Sequence, residues 1–194
     1  GFKTKILENT KLSDISNNLR ILGSLSGKEE ISQKLADRFD SAISELRLIL
    51  KDCKKPDILF CVWTKPVISI GGRSFLNDVI TTCGAINTTV DFRESYPKLT
   101  SEKLVNLDPE ILVLPNEAQR TDLVSRPPWS YLNAIKSKQY YFLPEAKKDL
   151  LSRPSLAIIS GVHWLACRIH PEKKRVLDQW LISNEHLTLN RDKP

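Results

Sequence analysis

Ile58-Leu59-Phe60-Cys61-Val62-Trp63 is, with Ile111-Leu112-Val113-Leu114, among the longest apolar stretches of the chain. No polar residue alternates with the apolar ones, so the run predicts a strand buried on both faces. Such strands belong to parallel-type sheets packed between helices. Glu110–Pro115 reads as a second buried strand and Gln139–Leu143 as a third. Helical patterns fall between them. Gly71-Gly72-Arg73-Ser74 turns into a helix with Phe75, Leu76, Val79 and Ile80 on its apolar face. Thr100-Ser101-Glu102 opens another, stopped near Asp108-Pro109. Trp129–Ile135 predicts a short helix. Pro154 suits the first position of a further helix that ends at His170-Pro171. Strands thus alternate with helices from 58 to 170, which argues for a layered α/β domain.

Upstream of Pro56 lies the clearest periodic segment. Ile31, Leu35, Phe39, Ala42, Leu46 and Ile49 recur at helical spacing and predict one amphipathic helix over 28–51. At 1.5 Å per residue it would be about 36 Å long. Ser26-Gly27-Lys28-Glu29 fits a capping box at its start. A shorter helix precedes it, capped by Ser13, carrying Ile15, Leu19 and Leu22, and closed by Gly23 and Gly27. Residues 3–8 read as a short strand. A last helix is expected around Val176–Ile182, before a polar tail.

The 194 residues, 41% hydrophobic and 27% charged, describe a globular chain with enough for one ordinary core, or for one domain plus an appendage. No run approaches the roughly 18 apolar residues of a membrane span. No signal peptide is expected at Gly1-Phe2-Lys3, so an exported protein would be represented here in a processed or truncated form. The net charge of +6 suits an anionic surface or ligand. The basic residues are scattered rather than striped with aromatics, and nucleic acid is not an expected partner. Cys53, Cys61, Cys83 and Cys167 form no C-x-x-C pair. His163, Cys167 and His170 share one helix at i, i+4 and i+7. Without a distant fourth ligand they make a thin case for a metal, and neither metal nor cofactor is expected. Gly71–Ser74 lacks the endings of a P-loop and of a dinucleotide fold. No nucleophile–base–acid set stands out.

Four stretches, in order, resemble a known family. Pro66 through Asn87 is similar to its glycine-pair, serine and glycine–asparagine helix. Tyr96 through Leu114 is similar to its serine–glutamate helix and following strand. Trp129 through Phe142 and Arg153-Pro154 through His170-Pro171 match two further units. The family is the cluster-A, helix-linked substrate-binding proteins of bacterial ABC importers, and the resemblance is nearest to its cobalamin-binding members. It implies two α/β lobes joined by one rigid helix, with ligand held between them. On that reading, residues 1–27 are the remnant of an N-terminal lobe and 28–55 the linking helix. Residues 56–171 are a three-layer α/β/α C-terminal lobe, and 172–194 a terminal helix and tail.

The resemblance also implies roles. Tyr96, before Pro97, occupies the place of an aromatic that packs on a corrin ligand; the alternative is an aromatic bracing a loop. Trp63 ends a buried strand at the expected mouth of the cleft, with core packing as its alternative. Asp149 stands where an acidic group contacts ligand, with Arg153 just beyond it; the alternative is that the two form a loop ion pair. Glu102 matches a glutamate that docks onto the arginines of an inner-membrane permease, or serves only the helix dipole. Cys83 and Cys167 stand at the two positions of a family disulfide. On the chain-entropy model that bridge would stabilise the fold by roughly 4 kcal/mol. Cys53 and Cys61 are expected to be unpaired. The implied protein is not an enzyme. It would work in the periplasm, or on the outer face of the cytoplasmic membrane, binding cobalamin. A ferric siderophore or haem is the alternative ligand, and a nucleotide-binding α/β enzyme domain the alternative of another class.

Overall fold

A computed structural model of the protein describes residues 4–188. Two helices come first, α1 (Leu12–Ser26) and α2 (Glu29–Ile49). The 21 residues of α2 make a rod of about 31 Å. Gly27 separates the two helices with φ 66°, the left-handed C-terminal conformation that glycine adopts without strain. Lys28 N donates to Gly23 O at 2.8 Å across this turn. Arg20 then forks between Asp37 Oδ1 and Asp40 Oδ2, both at 2.8 Å, and holds α1 along α2.

After the rod come β1 (Asp57–Thr64), β2 (Val67–Ser69), α3 (Phe75–Thr82), β3 (Ile86–Asn87), β4 (Lys98–Leu99), α4 (Ser101–Leu107) and β5 (Ile111–Pro115). Three short 3-10 turns lead to α5 (Asn133–Lys136), β6 (Tyr140–Leu143), α6 (Glu145–Ser152), α7 (Ile158–Ile169) and α8 (Lys174–Ser183). The sheet runs β4-β2-β1-β5-β6, with β3 also on β1. β1, β5 and β6 are parallel, in register Ile58 opposite Ile111 and Leu112 opposite Tyr140.

Successive residues of β1 and β5 enter two separate cores. Ile58, Phe60, Ile111 and Val113 pack on one face with α2, α3, α7 and α8. Leu59, Cys61, Leu112 and Leu114 pack on the other with Leu104, Leu123, Trp129 and Leu132. This is the three-layer sandwich that the unalternating apolar runs predict. The terminal helix is part of it: Trp180 Nε1 donates to Ala42 O on the rod at 2.9 Å, both groups lying in the interior.

Several local expectations are corrected. Residues 4–8 are irregular, not a strand, and residues 1–3 lie outside the described range, as does the polar tail beyond 188. Asp14, not Ser13, secures the start of α1, its carboxylate accepting from the amides of Thr10 and Lys11 at 2.8 and 2.9 Å. Burial works against that carboxylate, but the two amides outweigh it and hold its pKa below the ordinary value. Ser26 hydrogen-bonds back to Leu22 O within α1, so no capping box opens α2. At the start of the rod Ile31 faces out, 62% exposed, while Ser32 and Ala36 are buried. The close approach of α1 favours small residues there. Finally, α6 precedes Pro154, and the last long helix of the lobe begins only at Ile158.

The sheet is also not purely parallel. Beyond Cys61 the chain folds back, and β2 pairs antiparallel with the outer half of β1, Trp63 opposite Ile68. A cis Lys65–Pro66 bond forms the turn of this hairpin.

Candidate functional site

In open α/β sheets ligands bind outside the carboxyl ends of the parallel strands. That edge here holds a cavity of about 390 Å³. Phe60, Cys61 and Val62 of β1, Pro115 of β5 and Leu143 of β6 supply the strand ends. Phe75 and Leu76, at the start of α3, form one wall. Lys148, Leu151 and Ser152 of α6, with Pro154, form another, and Tyr96 stands at the rim.

Tyr96 is 56% exposed, yet its backbone is fixed. The amides of Gly71 and Ser69 donate to Ser95 O and Pro97 O, at 2.9 and 3.0 Å, on either side of it. A Cβ on Gly71 would lie 1.8 Å from Glu94 O, and one on Gly72 2.1 Å from Val90 O. The glycine pair therefore lets the 90–97 loop press against the start of α3. Behind the pair, Asn87 Nδ2 donates to Ile70 O at 2.8 Å and to Asn77 Oδ1 at 2.9 Å. Thr89 Oγ1 lies 2.7 Å from the same Ile70 carbonyl, and Ser69 Oγ donates to Phe60 O at 3.0 Å. This buried polar net ties the aromatic's loop to the sheet. It also answers the phosphate-cradle alternative: Gly71 and Gly72 are covered by carbonyls, and Ser74 is spent capping α3 through Leu76 N.

Of the residues the sequence singled out for ligand, Tyr96 alone lines this cavity. Trp63 lies on the outward hairpin, 52% exposed, and its indole N–H donates to Lys65 O at 2.7 Å, bracing the turn. Asp149 and Arg153 are exposed, on α6 and at its end, rather than in a loop. Lys148, their neighbour, reaches the cavity and was not anticipated. Burial works to lower its pKa, but the Glu117 hydrogen bond and the charges of Glu117 and Glu145 prevail and raise it. The sign of α6 in the sequence was Pro144 ahead of Glu145-Ala146-Lys147-Lys148-Asp149-Leu150-Leu151; a helix there sets Lys148, Leu151 and Ser152 on one face.

Glu102 is exposed on the first turn of α4, behind the Thr100 cap, which accepts from Lys103 N at 3.2 Å. Ser101, Glu102, Val105, Pro127, Pro128 and Tyr131 surround a shallow depression there.

Cys83 and Cys167 are both free thiols. Cys83 Sγ faces Val162 O at 3.5 Å and Cys167 Sγ faces His163 Nε2 at 3.4 Å, so each sulfur has a different neighbour. Cys53 and Cys61 are free too. Burial pushes the Cys61 thiol, in the cavity wall, up to about 12.

No helix among the described residues is long and apolar enough to cross a membrane. Residues 1–146 match the profile of a family described as "Periplasmic binding protein". An uncharacterized ABC transporter substrate-binding lipoprotein, YvrC, of Bacillus subtilis is 24% identical over 82% of this chain and 51% of its own length. A vitamin B12-binding protein of Vibrio parahaemolyticus is 23% identical over 78% of this chain and 54% of its own. The chain thus spans about half the length of the curated relatives it matches. Among solved structures, the periplasmic vitamin B12 binding protein BtuF of Vibrio cholerae superposes with a TM-score of 0.79. It is 22% identical and covers 90% of this chain and 67% of its own. S. aureus IsdE, complexed with heme, superposes with a TM-score of 0.74 at 15% identity, over 87% and 69%. At such identities the superpositions speak for the fold alone. The profile match extends over most of the chain, and this chain belongs to the periplasmic binding protein family, a family of extracytoplasmic binding proteins rather than enzymes.

Proposed function

We propose that this chain forms the linking helix and C-terminal lobe of a substrate-binding component of an ABC importer, and that its cargo is a corrinoid. The observation that carries the reading is Tyr96, an aromatic with a pinned backbone at the rim of a largely apolar cavity on the carboxyl edge of the sheet. A flat macrocycle gains from an aromatic face and a single polar handle. The B12-binding names among its relatives support the same cargo. Since α2 is a continuous helix, lobe closure would be small and affinity would come from a preformed cleft. Asp149, Arg153 and Trp63 belong to this proposal only as rim residues that a bound ligand would have to reach from outside the cavity.

Haem or a ferric siderophore is the second reading. The fold match to a haem-complexed protein and the protonated Lys148 in the cavity wall favour an anionic ligand. Delivery would be to an inner-membrane permease, with exposed Glu102 as a docking carboxylate for permease arginines.

Titrating the chain with cyanocobalamin and, separately, with haem tests the choice. Corrinoid uptake that weakens about tenfold or more in Tyr96→Ala supports the proposal. Haem uptake without corrinoid binding overturns it in favour of the second reading.

A further inference from the structure

α7 and α8 are joined by the turn through His170–Lys173, and they bring three ligating side chains together. Cys167 Sγ lies 3.4 Å from His163 Nε2, and Asp178 Oδ1 lies 2.9 Å from the same nitrogen. All three atoms lie within 4.8 Å of one another. Around a tetrahedral zinc, with metal–ligand distances of about 2.0 Å for nitrogen and oxygen and about 2.3 Å for sulfur, the N–S and N–O edges are about 3.5 and 3.3 Å. The unliganded cluster is close to those edges already.

The sequence offered His170 as the third ligand of this helix. Its ring instead turns inward, Nε2 resting 3.1 Å from Cys83 O. The third ligand comes from the next helix, which helical spacing alone does not show. We infer that His163, Cys167 and Asp178 form a site for a borderline-soft divalent cation of the Zn²⁺ class, clipping α8 to α7.

Three features support it. First, one imidazole nitrogen faces both a thiol and a carboxylate. A neutral ring can accept from one or donate to the other, not both, whereas a cation between them satisfies all three. For the same reason the group is no catalytic triad, in which base and acid meet different ring nitrogens. Second, thiolate and carboxylate together neutralise a dication. Lys174 Nζ holds the other carboxylate oxygen at 2.6 Å, orienting Oδ1 toward the site as an outer partner does for a metal ligand. Third, Cys167 is buried while the Asp178 side chain is 39% exposed, so a fourth position opens to water. None of the three residues lines the cavity beside Tyr96, so the site stands apart from cargo binding.

The test is metal titration of the full chain, reduced and kept free of oxygen. Zn²⁺ is followed by competition with a chromophoric chelator, and Co²⁺ by its thiolate-to-metal charge-transfer band. One equivalent bound, with the band present, is the expected result. Cys167→Ser should abolish the band, and His163→Ala and Asp178→Asn should each weaken Zn²⁺ by more than about tenfold. Cys53→Ser, which alters a separate Cys53–His170–Glu172 group, should leave both unchanged. Circular dichroism checks that each variant is folded. Absence of Zn²⁺ binding by the reduced chain, or a band that survives in Cys167→Ser and vanishes in Cys53→Ser, overturns the inference.

Discussion

Gly71 and Ser95 are joined by a backbone hydrogen bond of 2.9 Å, and that bond holds Tyr96 at the cavity rim. The pairing needs a residue without a side chain, because any Cβ on Gly71 would overlap Glu94 O. Gly71→Ala should therefore destabilise the chain by about 1–3 kcal/mol, the cost of overpacking a closed site. Urea unfolding measures it. The same variant should lose cargo affinity, since the loop that carries Tyr96 must move.

Asn87 is the hub of the buried net beneath that loop. Its amide group serves Ile70 O and Asn77 Oδ1, while its oxygen accepts from Thr89 N at 3.2 Å. Asn87→Ala takes this partner from Asn77 Oδ1 and Thr89 N, leaving Ile70 O with Thr89 Oγ1 alone, and should cost about 1–3 kcal/mol. Asn87→Asp, which cannot donate to Ile70 O, should be no better. Equilibrium unfolding of the two variants side by side checks both statements.

Trp180 bonds to the rod across 138 residues of sequence. Trp180→Phe keeps an aromatic ring but removes the N–H donor and part of the volume. A loss of about 1–2 kcal/mol is expected. Thermal unfolding should remain a single transition, because α8 shares a core with α2 and α7.

Cys61 gives a pH dependence. An unfolded cysteine titrates near ~8.5, whereas burial holds this thiol at about 12. Between those values the unfolded chain has released a proton that the folded chain keeps. Stability therefore falls as pH rises through this window, by ~1.4 kcal/mol per pH unit from this group. Cys61→Ala should flatten the slope in urea titrations above about pH 8.5. At neutral pH the folded chain should leave Cys61 and Cys83 unmodified by a thiol reagent, since both are buried and protonated.

The layered α/β class, the long helix, the three parallel strands and the helices α3, α4 and α7 were legible in the residues alone. Each rests on a local pattern: unbroken apolar runs in β1 and β5, a helical stripe in α2, serine and threonine caps at Ser74 and Thr100. Tyr96, expected from the motif around it, lines the cavity at the strand ends. Trp63 stands outside the cavity because the end of β1 folds into a hairpin with β2, and only that pairing shows it. Lys148 was missed because its helix is short and half of its residues are charged.

What the sequence determined is therefore what neighbours along the chain decide: which segments are helix or strand, and which of their faces are apolar. What the tertiary structure alone decided is which side chains meet. Backbone hydrogen bonds between distant loops set Tyr96 beside the strand ends, and the docking of α8 on α7 brings Asp178 to His163 and Cys167. Such meetings depend on packing between elements, which periodicity within one element does not encode.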